Sequence, residues 1–178
     1  FDAKHSLRRN FRHQGKIRFI IPILSKDFIG FQMSRLNTLL QAKGTQVWSI
    51  GPAHSVYQAI EMMALKSIGA LCVLSDEGKL IGIISERDYA RKVILQGKSS
   101  KDTKVSEIMT KNVIYVDPTL KVDECMALMT QKRVRHLPVL HHGKLAGMIS
   151  VGDLVKSIID EQSTVIDHLE RYIKGEVG

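Results

Sequence analysis

An internal repeat constrains this chain more than any other feature of its sequence. Residues 47–69 align with residues 113–135 at an offset of 66 positions, and after the pair Val73 and Val139 the offset becomes 65. A one-residue deletion in a polar turn accounts for the change, because loop tips tolerate differences in length. Identical residues recur in pairs: Val47 and Val113, Pro52 and Pro118, Val56 and Val122, Met63 and Met129, Gly78 and Gly143, Ser85 and Ser150, Asp88 and Asp153. Each half alone would expose an apolar face, so we expect the two halves to cover each other.

Each repeat has the pattern of a strand, a helix, a hairpin and a second helix. Apolar residues recur three and four positions apart after Pro52 and after Pro118, as they do on the buried face of a helix. Paired apolar runs joined by short polar turns follow, and these are typical of β-hairpins. The predicted hairpin strands are residues 70–74, 79–84, 137–140 and 144–149. The sequence therefore predicts an α+β fold built from two βαββα-type repeats.

The domain boundaries follow from the repeat. We expect repeat one over residues 33–101 and repeat two over residues 102–173, with a polar linker at residues 96–102 and a tail at residues 174–178. The segment 153–173 carries an apolar stripe beside charged residues, which predicts a long helix at the end of repeat two. Such a helix could reach another subunit, as in a homodimer.

Basic charge is concentrated in a leader, residues 1–32. The chain has a net charge of +8, of which residues 1–35 hold +6, and all five phenylalanines lie in the leader. Three explanations fit: a targeting segment, a nucleic-acid-binding arm, or sequence that is not native to the mature protein. Because the chain starts with Phe1 rather than methionine, it is a fragment, a processed product or an over-extended reading frame, and we expect the last. Residues 36–178 carry only +2, so nucleic acid ranks last among the partners considered.

Apolar runs and cysteines narrow the class and the compartment. The longest apolar run, residues 19–24, is too short to cross a bilayer, so we expect no membrane partner. The two cysteines imply no disulfide framework and fit a reducing compartment. We therefore expect a cytoplasmic protein, with an organelle matrix as the alternative if the leader is a targeting segment.

A seven-residue motif ends each hairpin, Gly82–Asp88 in repeat one and Gly147–Asp153 in repeat two. In each, a strand ends, a serine follows, and a carboxylate comes three residues later as a helix begins. This pair can cap the helix, because the serine accepts from a first-turn amide and the acid complements the helix dipole. It can also hold a ligand, since free amides and a hydroxyl bind phosphate while a carboxylate accepts from a ribose diol. The glycine would permit either the close approach of a ligand or tight packing of the strand.

Paired repeats with Gly-x-x-Ser-x-x-Asp motifs resemble cystathionine beta-synthase-type (CBS) domains, here as a tandem pair. The resemblance covers residues 33–173 and includes the phrases VWSIGP, SERDYARK, IMT, RHLPV and SVGDLV. It implies a Bateman module in which two repeats pack with pseudo-twofold symmetry and enclose two clefts. Such modules bind AMP, ADP, ATP, S-adenosylmethionine or NAD, usually dimerise, and signal without catalysis.

The same resemblance implies a set of nucleotide-binding residues. Asp88 and Asp153 would hold the ribose hydroxyls, and Ser85 and Ser150 would lie near the phosphate. The residues that would line the adenine are Ala70, His136, Val47, Tyr115 and Pro138. The cations that would neutralise the phosphate are Arg133, Arg135 and His136 on one cleft wall and Arg87 and Arg91 on the other. Solvent exposure without a ligand explains Arg133 and Arg135 equally well.

The two clefts differ in their polar groups. Residues 135–138 read Arg-His-Leu-Pro, whereas the aligned residues 69–72 read Gly-Ala-Leu-Cys. We therefore expect the cleft anchored on Asp153 to bind a nucleotide more tightly than the cleft anchored on Asp88.

No residue pattern points to catalysis or to a metal. Cys72 and Cys125 resemble small core residues without a nearby base, and His141 and His142 lie at a hairpin tip without metal-ligand spacing. Paired carboxylates and a glycine-rich phosphate loop are missing. The sequence predicts a regulatory module that binds an adenosine nucleotide, requires no cofactor, and acts on an effector protein that it does not identify. The alternative is an interaction scaffold with unoccupied clefts.

Overall fold

The structure is a computed structural model that describes residues 34–44 and 46–174. The leader proposed for residues 1–32 and residues 175–178 of the proposed tail lie outside the described residues. The elements in chain order are α1 (Leu36–Lys43), β1 (Ser49–Ile50), α2 (Val56–Lys66), β2 (Ala70–Leu74), β3 (Leu80–Ser85), α3 (Glu86–Lys92), a short 3₁₀ helix (Ile94–Gln96), α4 (Val105–Ile108), α5 (Val122–Lys132), β4 (His136–His141), β5 (Lys144–Ser150) and α6 (Val151–Ile173). The predicted α+β class is confirmed.

Each repeat forms its own small sheet. In repeat one, β1 runs parallel to β2, and β2 pairs antiparallel with β3. In repeat two, β4 and β5 form the predicted hairpin, but the counterpart of β1 is a single parallel bridge between Val116 and Val139. Two hydrogen bonds hold that bridge, from Val116 N to Pro138 O at 3.0 Å and from Leu140 N to Val116 O at 2.9 Å. The first strand of the βαββα pattern is thus complete only in repeat one.

The two repeats agree in local backbone detail. Helices α2 and α5 end at Ser67 and Arg133, which occupy aligned positions and both adopt a left-handed conformation, with φ of 52° and 54°. Both hairpins shift register at the same place, after Val73 and after Val139. Conformations that L-residues rarely adopt, repeated at aligned positions, indicate that the duplication extends to backbone geometry.

The repeats exchange one helix each between their hydrophobic cores. Helix α1 lies at the start of repeat one, yet its Leu36 packs in the core of repeat two. Helix α4 lies at the start of repeat two, yet its Val105 packs in the core of repeat one. Backbone hydrogen bonds fix both positions, since Leu36 N donates to Leu120 O and Val105 N donates to His54 O, each at 2.9 Å. The boundary proposed at residues 101 and 102 therefore divides the sequence repeats but does not divide the two cores.

The glycines of the two motifs make room for these exchanged segments. A Cβ atom at Gly82 would lie 2.5 Å from Sδ of Met109, and one at Gly147 would lie 2.5 Å from Cδ2 of Leu40. Real Cβ atoms do not approach other atoms so closely, so a side chain at either position would displace a packed neighbour. Of the two explanations for these glycines, close packing is the one that the contacts support.

Candidate functional site

Both Ser-x-x-Asp motifs form capping boxes at the start of a helix. At α6, Asp153 N donates to Ser150 Oγ at 3.2 Å, while Ser150 N and Ser150 Oγ both donate to Asp153 Oδ2 at 2.7 Å. At α3, Ser85 and Asp88 make the same three bonds, at 3.3, 3.1 and 2.6 Å. Each serine hydroxyl therefore already donates its one hydrogen bond to an aspartate. A phosphate near these helices needs other donors while the caps are intact.

A lysine from outside the motif contacts each aspartate, and the sequence analysis identified neither. Lys92 Nζ lies 2.7 Å from Asp88 Oδ1 and donates to Ile108 O at 2.6 Å. Lys43 Nζ lies 2.6 Å from Asp153 Oδ2 and donates to Met148 O at 3.0 Å. The spacing of four residues between Asp88 and Lys92 on α3 was a usable signal. No local signal could have found Lys43, because it reaches Asp153 only through the exchange of α1.

The two aspartates differ in how their oxygen atoms are used. Asp88 has its cap bonds on Oδ2 and its lysine on Oδ1, so both oxygens are engaged. For Asp153, the contacts with described residues all end on Oδ2. Burial raises the pKa of Asp153, but the hydrogen bonds from Lys43 and Ser150 lower it further, so the net pKa lies below the ordinary value of 3.8. Asp153 is therefore an ionised acceptor at neutral pH, with Oδ1 as the atom left to accept further donors.

His136, at the start of β4, lies beside this carboxylate and beside repeat one. Burial, Lys43 and Arg135 lower its pKa from the ordinary value of 6.5, against the opposing effect of Asp153. A Cβ atom at Gly69 would lie 3.4 Å from Cε1 of the His136 ring. The half-buried, neutral imidazole therefore lies where the start of repeat two's hairpin meets repeat one.

A cavity of about 250 Å³ contains three of the predicted arginines. Arg87 comes from the first turn of α3, while Arg133 and Arg135 come from the segment between α5 and β4. The cavity is lined by Arg87, Met126, Met129, Thr130, Arg133, Val134, Arg135 and Val151. Three exposed arginines along one small space favour an anion with several oxygen atoms. Neither motif aspartate lines the cavity, but Val151 is two residues from Asp153.

The remaining predicted residues lie in different settings. Ala70 and Pro138 are buried within β2 and β4, next to residues of the two hydrophobic cores but not among the members of either core. Tyr115 is 45% exposed and Val47 is half-buried. Arg91 is exposed on α3 and does not line the arginine cavity. The structure thus brings Arg87 together with Arg133 and Arg135, and it leaves Arg91 apart from them.

Other reactive residues have structural surroundings. Burial raises the pKa of Cys72 to about 12, and burial with the charges of Glu124 and Asp123 does the same for Cys125. Within residues 34–44 and 46–174, no three His, Cys, Asp or Glu side chains are grouped as a metal ion would require. Across that same part of the chain, no helix combines the length and apolar character needed to span a membrane.

Comparison with known proteins identifies the class. A family model for the CBS domain matches residues 44–94 and 105–160, so the chain belongs to the CBS domain family. Its two matched segments define a tandem CBS pair, a regulatory module. The resemblance predicted from the motifs is confirmed.

Three known proteins illustrate how similar this chain is to its relatives. The mitochondrial CBS domain-containing protein CBSX3 of Arabidopsis thaliana is 39% identical over 82% of this chain and 75% of its own length. A protein with CBS domains from Burkholderia ambifaria is 53% identical, with a TM-score of 0.70 over 72% of this chain and 96% of that one. The CBS domain pair of the protein MJ0100, solved with 5′-methylthioadenosine and S-adenosyl-L-methionine, has a TM-score of 0.62 at 24% identity and covers 69% of this chain and 98% of its own. That last likeness concerns the fold alone.

Proposed function

We propose that this chain is a non-catalytic regulatory module that binds an adenosine nucleotide, namely AMP, ADP or ATP, with NAD as the alternative ligand. The observation that carries the proposal is the start of α6, which holds an ionised carboxylate with an available oxygen at Asp153 and, two residues earlier, Val151 in the lining of a three-arginine cavity. A ribose diol donates to a carboxylate, and phosphate oxygens accept from guanidinium groups. A nucleotide is the ligand class that carries both groups.

The size of the cavity supports a binding mode in which only part of the nucleotide lies inside it. At about 250 Å³, the cavity is smaller than the ~300–1,000 Å³ of pockets that hold whole ligands. It suits the phosphate groups, while the ribose lies against Asp153 outside it. The Ser150 hydroxyl already donates its hydrogen bond to Asp153. We therefore assign Arg133 and Arg135 as the donors to the phosphate.

A thermal-shift panel tests this function on protein shown to be free of ligand. AMP, ADP, ATP, NAD and S-adenosylmethionine are each added at increasing concentration. A ligand present at 100 times its Kd stabilises the folded state by about 2.7 kcal/mol. For a chain of this size, that predicts a rise in Tm of about 5–10 °C. A flat response to every compound would contradict the proposal and favour the scaffold alternative.

A pair of arginine variants separates the cavity from general surface charge. Both Arg87 and Arg91 are exposed on α3, but only Arg87 lines the cavity, so Arg87→Gln removes a cavity guanidinium and Arg91→Gln removes one elsewhere on the same helix. We expect Arg87→Gln to weaken the binding of ADP and ATP about tenfold or more, since a charge-assisted hydrogen bond contributes about 1.5–3 kcal/mol. Arg91→Gln should bind like the wild type. Equal losses in both variants would count against a phosphate site in the cavity.

The cleft at Asp153 is proposed as the tighter of the two. Asp88 has both oxygens engaged, whereas the contacts of Asp153 with described residues end on Oδ2. A ribose diol at Asp88 must therefore share Oδ1 with Lys92 or displace it, and this competition lowers affinity. This difference supports the same order of affinity that the residues at the start of each hairpin suggest.

A scaffold function is the second candidate, because the end of α6 is exposed along its length. Its clefts would stay empty, and the helix would bind a partner. The compartment that we propose is the cytoplasm, with an organelle matrix as the alternative, which the mitochondrial location in the name of the Arabidopsis thaliana relative favours. Fractionation of cells that express the full reading frame distinguishes the two compartments.

A further inference from the structure

The C-terminal helix leaves the body of the protein after its third turn. Leu154 is fully buried, and Val151 and Ile158 pack against the core of repeat two. The last described attachment is the hydrogen bond from Ser34 N to Glu161 Oε1 at 3.0 Å. Every residue from 162 to 173 is exposed to solvent in the described part of the chain. At 1.5 Å per residue, this exposed end is about 18 Å long.

The exposed side of α6 carries a heptad pattern. Apolar residues are spaced alternately four and three positions apart, with Gln162 as the one polar member. The row consists of Val155, Ile159, Gln162, Ile166, Leu169 and Ile173, and its apolar members are between 40% and 82% exposed. A spacing that averages 3.5 residues is typical of a helix that packs along another helix in a coiled coil. A row of this length needs a partner to remove it from water.

Charge complementarity along α6 favours a second copy in antiparallel orientation as the partner. With residue 164 at the centre, Ile159 meets the partner's Leu169, and Val155 meets the partner's Ile173. The same register places Lys156 opposite the partner's Glu170, and the symmetry repeats this ion pair at the other end. Among the described residues, Glu170 Oε2 forms an exposed ion pair with Lys174 Nζ at 3.7 Å, a weak contact that a charge on a second copy can replace.

A parallel arrangement lacks this complementarity. Gln162 does not distinguish the two arrangements, because it faces Gln162 in the parallel one and the partner's Ile166 in the antiparallel one. Two sets of positions lie on either side of the apolar row, and in a parallel pair each set faces the other. One set is Lys156, Ser163 and Glu170, and the other is Ile158, Val165 and Tyr172. No opposite charges would then meet. In the antiparallel register, those apolar flanking residues face one another instead. Val165 meets Val165, and Ile158 meets Tyr172.

We propose that residues 155–173 of α6 pair with the same segment of a second copy as an antiparallel coiled coil centred on residue 164. Because Asp153 lies in the first turn of the same helix, this pairing fixes the helix on which the nucleotide cleft is built. The proposal does not depend on nucleotide binding, and its test uses no nucleotide.

Cross-linking through one introduced cysteine tests the register in the full chain. The native Cys72 and Cys125 are buried, so a short bis-maleimide will react with the introduced thiol. Val165→Cys places two thiols near the symmetry centre and should give a cross-linked dimer. Asp167→Cys lies on the outer side of the helix and is the matched control, which should give no cross-linked dimer under the same conditions. Equal cross-linking of both variants, or none in either, would overturn the proposal.

A charge exchange adds a second, independent readout. In the Val165→Cys background, Lys156→Glu places like charges opposite each other and should reduce the cross-linking yield. Adding Glu170→Lys reverses both charges and should restore it. Each exposed pair changes the dimer affinity only a few-fold, so the protein concentration should be held near the dissociation constant. A yield that Lys156→Glu leaves unchanged, or that Glu170→Lys does not restore, would contradict the antiparallel register. Melting curves of all variants confirm that each is folded.

Discussion

Gly147→Ala tests the exchange of helices between the two cores with a single methyl group. The new Cβ atom would lie 2.5 Å from Cδ2 and 3.2 Å from Cδ1 of Leu40. Leu40 is only 5% exposed and packs in the core of repeat two, so it has no room to move aside. Overpacking of this kind costs about 1–3 kcal/mol. For a chain of this size, each kcal/mol lowers Tm by about 2–4 °C.

Urea denaturation followed by circular dichroism measures this change, with Gly152→Ala as the control. At Gly152 the nearest atom to an added Cβ is Ser150 Oγ at 3.6 Å, an ordinary contact, and alanine favours the helix by up to about 1 kcal/mol. We expect Gly152→Ala to be neutral or stabilising. In the double variant with Leu40→Ala, the methyl at 147 fills part of the space left by Leu40. The double variant should therefore lose less stability than the sum of the losses in the two single variants. If Gly147→Ala proves as stable as the wild type, α1 does not pack against β5 as described.

Three further predictions concern single residues. Cys72 and Cys125, with pKa values raised to about 12 by burial, should resist a thiol reagent in native protein at pH 8 and react fully in urea; rapid labelling of native protein would contradict this. The pKa of His136 is held below 6.5 by burial and two cations, so the unfolded chain binds the proton more tightly, and stability should fall as pH drops through 6.5. A His136→Asn variant should lose that part of the slope of Tm between pH 7 and pH 5.5, and an unchanged slope would oppose the assignment. Ser85→Ala removes the cap of α3 and should lower the free energy of unfolding, measured by urea denaturation, by about 1 kcal/mol. A variant as stable as the wild type would contradict this.

Local sequence patterns predicted the hairpins and both helix caps, because each depends on residues close together in the chain. The exchange of α1 and α4 was not predictable in this way. It depends on contacts such as Leu40 with Gly147, which are far apart in sequence and have no periodicity of their own. The same reason hid Lys43 from the sequence analysis.

In the candidate site, too, local sequence patterns identified some residues, while tertiary packing alone brings the others together. The aspartates were found because their motif repeats, and Lys92 could have been found from its spacing to Asp88. The grouping of Arg87 with Arg133 and Arg135 arises only when the two repeats pack together. The weak first strand of repeat two also had no signal, since Val116 and the aligned Ile50 belong to equally apolar segments.

Calorimetric titration of AMP into ligand-free Asp153→Asn and Asp88→Asn proteins tests the central claim most directly. Asparagine keeps much of each helix cap and removes the charge that accepts the ribose hydroxyls. We expect saturable binding to the wild type, a large loss of affinity in Asp153→Asn, and a smaller loss in Asp88→Asn, with all three proteins folded by their melting curves. Wild-type protein that binds neither AMP nor the other adenosine ligands, or an Asp153→Asn variant that binds as tightly as the wild type, would contradict the account.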